Sequence, residues 1–187
     1  MLTGGASRRF GSDKSQVTLA TGETLAAHVL RLLRAACDPV IEVGPGVTDA
    51  PAIREQPPGS GPVAALLAGV DVVGTPVVVV ACDQPAVTAS VLERLATFPG
   101  DSLVPVLDGR PQYVCARYGP ETIALLRGSL ASGDRSFRTL GVDRLRALGA
   151  SAEDFPAEAF VDLDTPEDLV SWRATEAAIP DRPGGAR

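Results

Sequence analysis

One histidine, one tryptophan and one methionine among 187 residues, with aromatics at 4%, leave several common chemistries little to work with. A single histidine removes most zinc hydrolases and any histidine-dependent triad unless that one residue serves. Its setting argues otherwise, because Leu25, His28, Val29, Leu32, Leu33 and Ala36 form one helical face that contains it. Cys37, Cys82 and Cys115 are far apart, with no C-x-x-C pair, so neither a disulfide framework nor a zinc ribbon is indicated. Reduced, buried thiols are expected instead. Uninterrupted apolar runs such as Val77 to Cys82 fall far short of the roughly 20 residues of a membrane helix, and no basic-then-apolar leader stands before residue 20. A soluble cytoplasmic protein without membrane association is expected.

What is present is ordinary globular composition, 45% hydrophobic and 21% charged, which excludes long-range disorder. The length fits one domain, expected over residues 1–179, with residues 180–187 a flexible tail. A net charge of -6 and an isoelectric point near 4.8 oppose a general role on nucleic acid or anionic lipid. Any anionic ligand must therefore meet a local positive site.

Along the chain, a polar, glycine-rich loop from Leu2 to Lys14 precedes a helix of apolar period 3.6 over Thr24 to Cys37. A short β-branched strand at Val40 to Val43, a Pro/Gly-rich stretch to Gly61 and a helix over Pro62 to Val72 follow. Val77 to Ala81 reads as a central parallel strand covered on both faces. Thr88 to Thr97 reads as a helix, and strands at Ser102 to Val106 and Gln112 to Arg117 flank a hairpin turn at Asp108-Gly109. Glu121 to Leu130 and Ser136 to Leu145 are expected helices, Phe160 to Leu163 a strand, and Pro166 to Ala178 the last helix. Strands alternating with helices predict an α/β fold of three layers, a doubly wound, mostly parallel sheet with a small β-hairpin excursion. Its ligands bind beyond the carboxyl ends of the strands.

The segment Leu2-Thr3-Gly4-Gly5-Ala6-Ser7-Arg8-Arg9-Phe10-Gly11-Ser12-Asp13-Lys14 joins glycines, whose backbone N–H groups can face a ligand, to three cations against one carboxylate. In an acidic chain this is a cationic spot suited to a nucleoside triphosphate; a plain surface loop is the alternative. Neither G-x-x-x-x-G-K-[ST] nor G-x-G-x-x-G occurs, which counts against P-loop kinase and dehydrogenase readings.

Asp83 directly follows the buried run Val77 to Cys82, where an ionised carboxylate needs a cation or hydrogen bonds. A magnesium ligand and a turn-capping aspartate before Gln84-Pro85 both fit. Asp162 and Asp164 flank Leu163, and Thr165-Pro166-Glu167-Asp168 reads as a capped helix start, so Asp164 suits either a metal or a cap. Gly133-Asp134-Arg135-Ser136 offers Arg135 and a helix N-terminus to an anion, although an αα turn has the same composition.

Taken together these segments resemble the molybdenum cofactor guanylyltransferases, nucleotidyltransferases that share a Rossmann-like sheet. Leu2 to Lys14 is similar to that family's L-A-G-G-x-S-x-R-M-G-x-D-K loop, Gly61-Pro62-Val63-Ala64-Ala65 to G-P-L-A-G, and Cys82-Asp83-Gln84-Pro85 to C-D-x-P. Gly133-Asp134-Arg135 resembles G-[ED]-R, and Asp162 to Leu169 resembles N-x-N-T-P-E-[DE]-L. The resemblance implies that Leu2, Thr3, Gly4 and Gly5 contact the guanine nucleotide, that Lys14 and Arg9 meet its phosphates, and that Asp83, with Asp164, holds Mg2+. By alignment from Gly61-Pro62, Gln56 stands where the family often has a nucleotide-contacting aspartate. Arg110 and Arg135 are candidates for the phosphate of the acceptor.

The sequence departs from the family pattern in places. Only Met1 and Leu2 precede the loop where the family has several β-branched residues, so the first strand is expected to be nearly missing. Thr3 replaces the usual alanine, and Asp162 and Asp164 replace asparagines, moving this motif toward the sibling cytidylyltransferases.

The activity so implied is transfer of GMP from GTP to molybdopterin with release of pyrophosphate, with GTP and molybdopterin as small-molecule partners and transient contact with molybdoenzymes. The alternatives are cytidylyl or other nucleotidyl transfer, and a catalytically inactive paralogue that binds nucleotide or a partner.

Overall fold

The computed structural model describes residues 1–4, 14–141, 155–163, 165 and 167–172. Four α-helices carry most of its regular structure: α1 (Leu25–Ala36), α2 (Pro62–Val73), α3 (Ala89–Thr97) and α4 (Pro120–Ala131). Each starts where local chemistry permits. The Thr24 hydroxyl accepts from the Ala27 N–H at 3.2 Å, and the Thr88 hydroxyl from the Val91 N–H at 3.3 Å, satisfying donors that have no partner inside the helix. The other two open with proline, Pro62 and Pro120, at a position that needs no N–H.

The strands are short: β1 (Glu42–Val43), β2 (Ala52–Ile53), β3 (Val77–Val80), β4 (Val106–Leu107), β5 (Arg110–Pro111) and β6 (Cys115–Tyr118). β1 and β2 pair in parallel, and Leu2 makes parallel bridges to both Val43 and Ala81. The nearly missing first strand thus still occupies the middle of the sheet. Leu2 N–H donates to the Val80 carbonyl at 2.8 Å and Thr3 N–H to the Val43 carbonyl at 3.1 Å, while Cys82 and Val43 N–H groups donate back to Leu2 and Met1. Beyond β3 the direction changes. β6 runs antiparallel to β3, with Val79 opposite Ala116, and Leu103 adds an antiparallel bridge to Arg117. The sheet is therefore mixed.

Its residues alternate between two apolar clusters. Val80, Cys115 and Leu103 pack with Val29 and Leu33 of α1 and Leu92 and Leu95 of α3; Leu2, Val79, Ala116 and Tyr118 pack with Leu66 and Val70 of α2 and Leu126 of α4. Helices lie on both faces, as the continuously apolar sequence of β3 requires.

Several local expectations change. The hairpin is β4–β5, turning at Asp108 and Gly109 with φ of 47° and 76°, backbone values that suit a tight two-residue turn; β6 belongs to the main sheet. β2 arises inside the Pro/Gly-rich stretch. Phe160 to Leu163 is not a strand: Ala157–Phe160 is a 3-10 turn, and Phe160 and Leu163 are buried while Val161 is 41% exposed. In the expected helix from Ser136, Phe137–Thr139 is a 3-10 turn, and residues 142–145 lie outside the described residues. Of the expected last helix, residues 167–172 are helical, and the remainder from 173 also lies outside, as do residues 180–187.

Candidate active site

Parallel strands end together, and beyond the carboxyl ends of β1, the Leu2 strand and β3 stand Gly44, Gly4 and Asp83. An ion pair forms here between Lys14 Nζ and Asp83 Oδ2 at 3.7 Å, with both side chains largely shielded. Two connections hold it. Lys14 opens a 3-10 turn whose continuation, Val17 and Leu19, packs with Leu25 at the start of α1 and with Leu163, Leu169 and Trp172. Leu163 N–H in turn donates to the Asp83 carbonyl at 3.0 Å. The segment carrying Asp162 is therefore fastened to the loop that carries Asp83.

His28 supports the same loop. Its Nε2 lies 3.2 Å from the Pro85 carbonyl and its Nδ1 3.4 Å from Glu23, which also binds Arg31. The one histidine thus ties α1 to the loop after β3. Next to Asp83, Gln84 is fully buried, and neither of its amide atoms has a hydrogen-bond partner among the described residues.

On the other side of Gly4 is a feature the sequence reading missed. Glu42, the fully buried first residue of β1, accepts from the Thr3 hydroxyl at 2.6 Å, from Gly46, Val47 and Thr48 N–H groups, and from the Thr48 hydroxyl at 2.8 Å. Burial pushes its carboxyl up, but these donors outweigh burial and hold it below its ordinary value. The signal was available: one carboxylate within Val40-Ile41-Glu42-Val43, followed by Gly-Pro-Gly, cannot sit in an apolar strand without donors. A Cβ on Gly44 would overlap the Thr3 hydroxyl, so glycine is required there.

The remaining expected residues fall as follows. Leu2 is in the core and Thr3 is buried against Glu42, so Gly4 is the exposed residue of the three. Gly5, Arg9 and Asp164 lie outside the described residues. Gln56 is exposed and lines a cavity of about 670 Å³ between α2 and α4, with Arg54, Leu67 and Arg127. Arg110 is exposed on the β4–β5 hairpin. Arg135, also exposed, packs its backbone on Gly61, where an added Cβ would meet the Arg135 carbonyl at 3.4 Å. The Gly61-Pro62 and Gly133-Asp134-Arg135 motifs thus meet at the start of α2. Thr165 and Asp168 bond each other reciprocally, at 2.7 and 3.2 Å, which makes them a helix cap.

The sequence of residues 1–147 is matched by a family model, the MobA-like NTP transferase domain. The chain belongs to the MobA-like NTP transferase family. It is a nucleotidyltransferase. Among relatives of this MobA-like transferase, a protein of Chloroflexus aggregans named probable molybdenum cofactor guanylyltransferase is 32% identical over 187 aligned positions, covering 90% of this chain and 89% of the relative. One of the same name from Mycobacterium tuberculosis is 32% identical over 161 positions, covering 79% and 80%. Among solved structures, molybdopterin-guanine dinucleotide biosynthesis protein A from Archaeoglobus fulgidus aligns at a TM-score of 0.71 with 25% identity, over 95% of this chain and 97% of that one. A Mycobacterium tuberculosis protein crystallised with manganese shares the fold at a TM-score of 0.61 and 16% identity, over 93% and 95%. No helix among the described residues is long and apolar enough to cross a membrane.

Proposed function

We propose that this transferase moves GMP from GTP to molybdopterin, with residues 1–179 working as one cytoplasmic nucleotidyltransferase domain. The observation that carries the reading is the shielded Lys14–Asp83 pair at the carboxyl ends of the central strands, beside the exposed Gly4. It supports a triphosphate site because it sets a fixed cation next to a fixed carboxylate at the mouth of a glycine loop. The names of the relatives at 32% identity supply the acceptor.

The donor set suits Mg2+. Asp83 is a hard oxygen ligand, and the segment carrying Asp162 is bonded to its loop. Among the described residues no cluster of three or more His, Cys, Asp or Glu side chains forms a metal cage. Magnesium in phosphoryl-transfer sites is characteristically held by one or two carboxylates together with substrate phosphates, which matches this arrangement. When bound, the ion neutralises phosphate charge and orients the triphosphate.

In the reaction, an oxygen of the molybdopterin phosphate forms a bond to the α-phosphorus of GTP, and the bond from that phosphorus to the bridging oxygen breaks, releasing pyrophosphate. The nucleophile is already anionic, so no general base is needed and no histidine has to serve. The protein's work is positioning two anions and stabilising the charge that develops between them. Lys14, with Arg9, meets the triphosphate; Asp83, with Asp164, holds the metal. Gly4, Gly5 and Gln56 contact the nucleotide, with Leu2 and Thr3 carrying that loop from the core, and Arg110 and Arg135 receive the acceptor phosphate. Transient contact with molybdoenzymes completes the expected set of partners.

Calorimetric titration of the purified chain with GTP, CTP and ATP, with and without magnesium, tests the nucleotide choice. Binding of GTP that requires magnesium is the expected result. Preference for CTP would favour cytidylyl transfer, the alternative that Asp162 brings by replacing asparagine, and binding of none would contradict an active site here.

A further inference from the structure

Three near-parallel aromatic rings lead from the core toward the carboxyl end of β3, and both tyrosines of the chain are among them. Phe137 stacks on each tyrosine, its ring centroid 5.5 Å from Tyr113 and 5.7 Å from Tyr118 and its plane within 7° of both. Tyr118 is fully buried and Phe137 nearly so, whereas Tyr113 is half-buried. Tyr113 is thus the ring that meets solvent.

This ring is held in place. The Tyr113 hydroxyl donates to the Leu140 carbonyl at 2.7 Å, and the Tyr113 carbonyl accepts from the Tyr118 hydroxyl at 2.7 Å. Burial raises the pKa of the Tyr113 hydroxyl, so it stays a donor. A side chain ordered in this way has little rotamer freedom left to lose when a ligand stacks on it.

Its position follows from the sheet. Val80 pairs with Cys115, and Ala81 N–H continues the ladder to the Val114 carbonyl at 2.8 Å, so the next residues are Cys82 and Asp83 on one strand and Tyr113 on the other. Along the carboxyl edge the order is Gly44, Gly4, Asp83 and Tyr113, which adjoin β1, the Leu2 strand, β3 and β6. Strands about 4.8 Å apart set Tyr113 one strand from Asp83 and roughly 14 Å from Gly44. Tyr113 therefore flanks the Lys14–Asp83 pair on the side away from the glycines. The two arginines assigned to the acceptor phosphate are its neighbours in the chain. Arg110 C=O accepts from the side-chain amide of Gln112, the residue before Tyr113, and Arg135 precedes Phe137 on a turn closed by Ser136 N–H donating to Asp134 at 2.9 Å.

We propose that Tyr113 is the platform on which the planar heterocycle of the acceptor stacks during transfer. Because this rests on the acceptor assigned above, the heterocycle is a pterin, a flat fused ring system. A fixed ring at the solvent end of a stack suits such a partner. Guanine is flat as well, and the order along the edge decides between them: the nucleotide belongs with Gly4 on one side of the Lys14–Asp83 pair, and Tyr113 lies on the other. Acceptor and nucleotide then occupy the site together, as a direct transfer between them requires.

The test is equilibrium binding of a free pterin without a phosphate, read by quenching of its own fluorescence, to the full chain, to Tyr113→Leu and to Tyr113→Phe, with and without saturating GTP and magnesium. Tyr113→Leu keeps an apolar side chain without a flat ring; Tyr113→Phe keeps the ring without the bond to Leu140. The pterin dissociation constant is expected to rise about tenfold or more in Tyr113→Leu, with most of that affinity recovered in Tyr113→Phe. GTP is not expected to displace the pterin, and its own affinity should be the same in Tyr113→Leu as in the parent. Equal pterin affinity in the parent and Tyr113→Leu, a loss in Tyr113→Phe as large as in Tyr113→Leu, or no pterin binding by the parent would overturn the proposal. So would displacement by GTP, which would make guanine the occupant, or a parallel loss of GTP affinity in Tyr113→Leu, which would reduce Tyr113 to packing. Pterin binding needs no turnover, so binding that depends on Tyr113 in a chain without guanylyl transfer would remove the assigned activity and leave this site standing.

Discussion

The Thr3 hydroxyl donates to the buried Glu42 carboxylate at 2.6 Å, binding the residue before Gly4 to the loop that follows β1. Resemblance to the guanylyltransferases puts alanine at this position, and threonine fits here because Glu42 receives its hydroxyl. Thr3→Ala removes one charge-assisted bond from a fully buried carboxylate, and a loss of about 2 kcal/mol is expected, read as a lower midpoint in urea with an unchanged slope. A midpoint equal to that of the parent would show that the bond contributes nothing.

The same pair makes Gly44 a coupled position. A Cβ at Gly44 overlaps the Thr3 hydroxyl and comes within 3.0 Å of the Gly4 nitrogen, so Gly44→Ala is expected to destabilise the chain by more than about 2 kcal/mol. In the Thr3→Ala background the Gly44→Ala cost should fall, because one of its collisions is gone. A double-mutant cycle measures this, and strictly additive losses would count against the contact.

Glu42 illustrates how far the sequence could be read. The four α-helices are legible to within a residue or two because their signals are local, Thr24 and Thr88 caps, prolines at Pro62 and Pro120, and apolar spacing in between, whereas the helix expected from Ser136 is a 3-10 turn at Phe137–Thr139. β3 announced itself as an apolar β-branched run. β2 did not, since Ala52-Ile53 becomes a strand only by pairing with β1. The antiparallel partnership of β6 with β3 is likewise tertiary, and Phe160 and Leu163 resemble strand residues because buried anchors and strand residues share a composition. At the site, glycine-loop and strand-end chemistry single out Lys14 and Asp83, and the fold sets their side chains 3.7 Å apart. The Thr3–Glu42 bond and the buried Gln84 amide, which has no hydrogen-bond partner among the described residues, depend on folding.

Stability should depend on pH through Met1. Its amino pKa is pushed from 8.0 down to about 6 by burial in the folded chain. Between those values the unfolded chain carries the proton and the folded chain does not, so stability rises as pH increases from about 6 to 8 and is level above 8 and below 6. The span corresponds to about 3 kcal/mol. Chemical denaturation at pH 5.5, 7 and 8.5 measures it, and acetylation of Met1 should abolish the dependence in this window. A chain whose stability is flat from pH 6 to 8 would contradict the buried amine.

Lys14→Ala and Asp83→Ala should separate binding from turnover. Loss of the Lys14 ammonium removes a cation from the triphosphate, and a rise in the GTP dissociation constant of about tenfold or more is expected, with Tm little changed because the Asp83 side chain, shielded but still 29% exposed, keeps contact with water. Asp83→Ala should abolish magnesium-dependent transfer while leaving the far-UV circular dichroism of the fold intact. Magnesium-dependent transfer at the parental rate in Asp83→Ala would remove this carboxylate from the metal site.

The most direct measurement is a single-turnover reaction of the purified chain with molybdopterin, magnesium and each of GTP, CTP and ATP in turn, with pyrophosphate and the dinucleotide product followed together. Guanylyl transfer at the Lys14–Asp83 site predicts one pyrophosphate released per molybdopterin-guanine dinucleotide formed, with GTP only, and no product from Asp83→Ala. Product from CTP in preference to GTP, or equal product from Asp83→Ala, would contradict it.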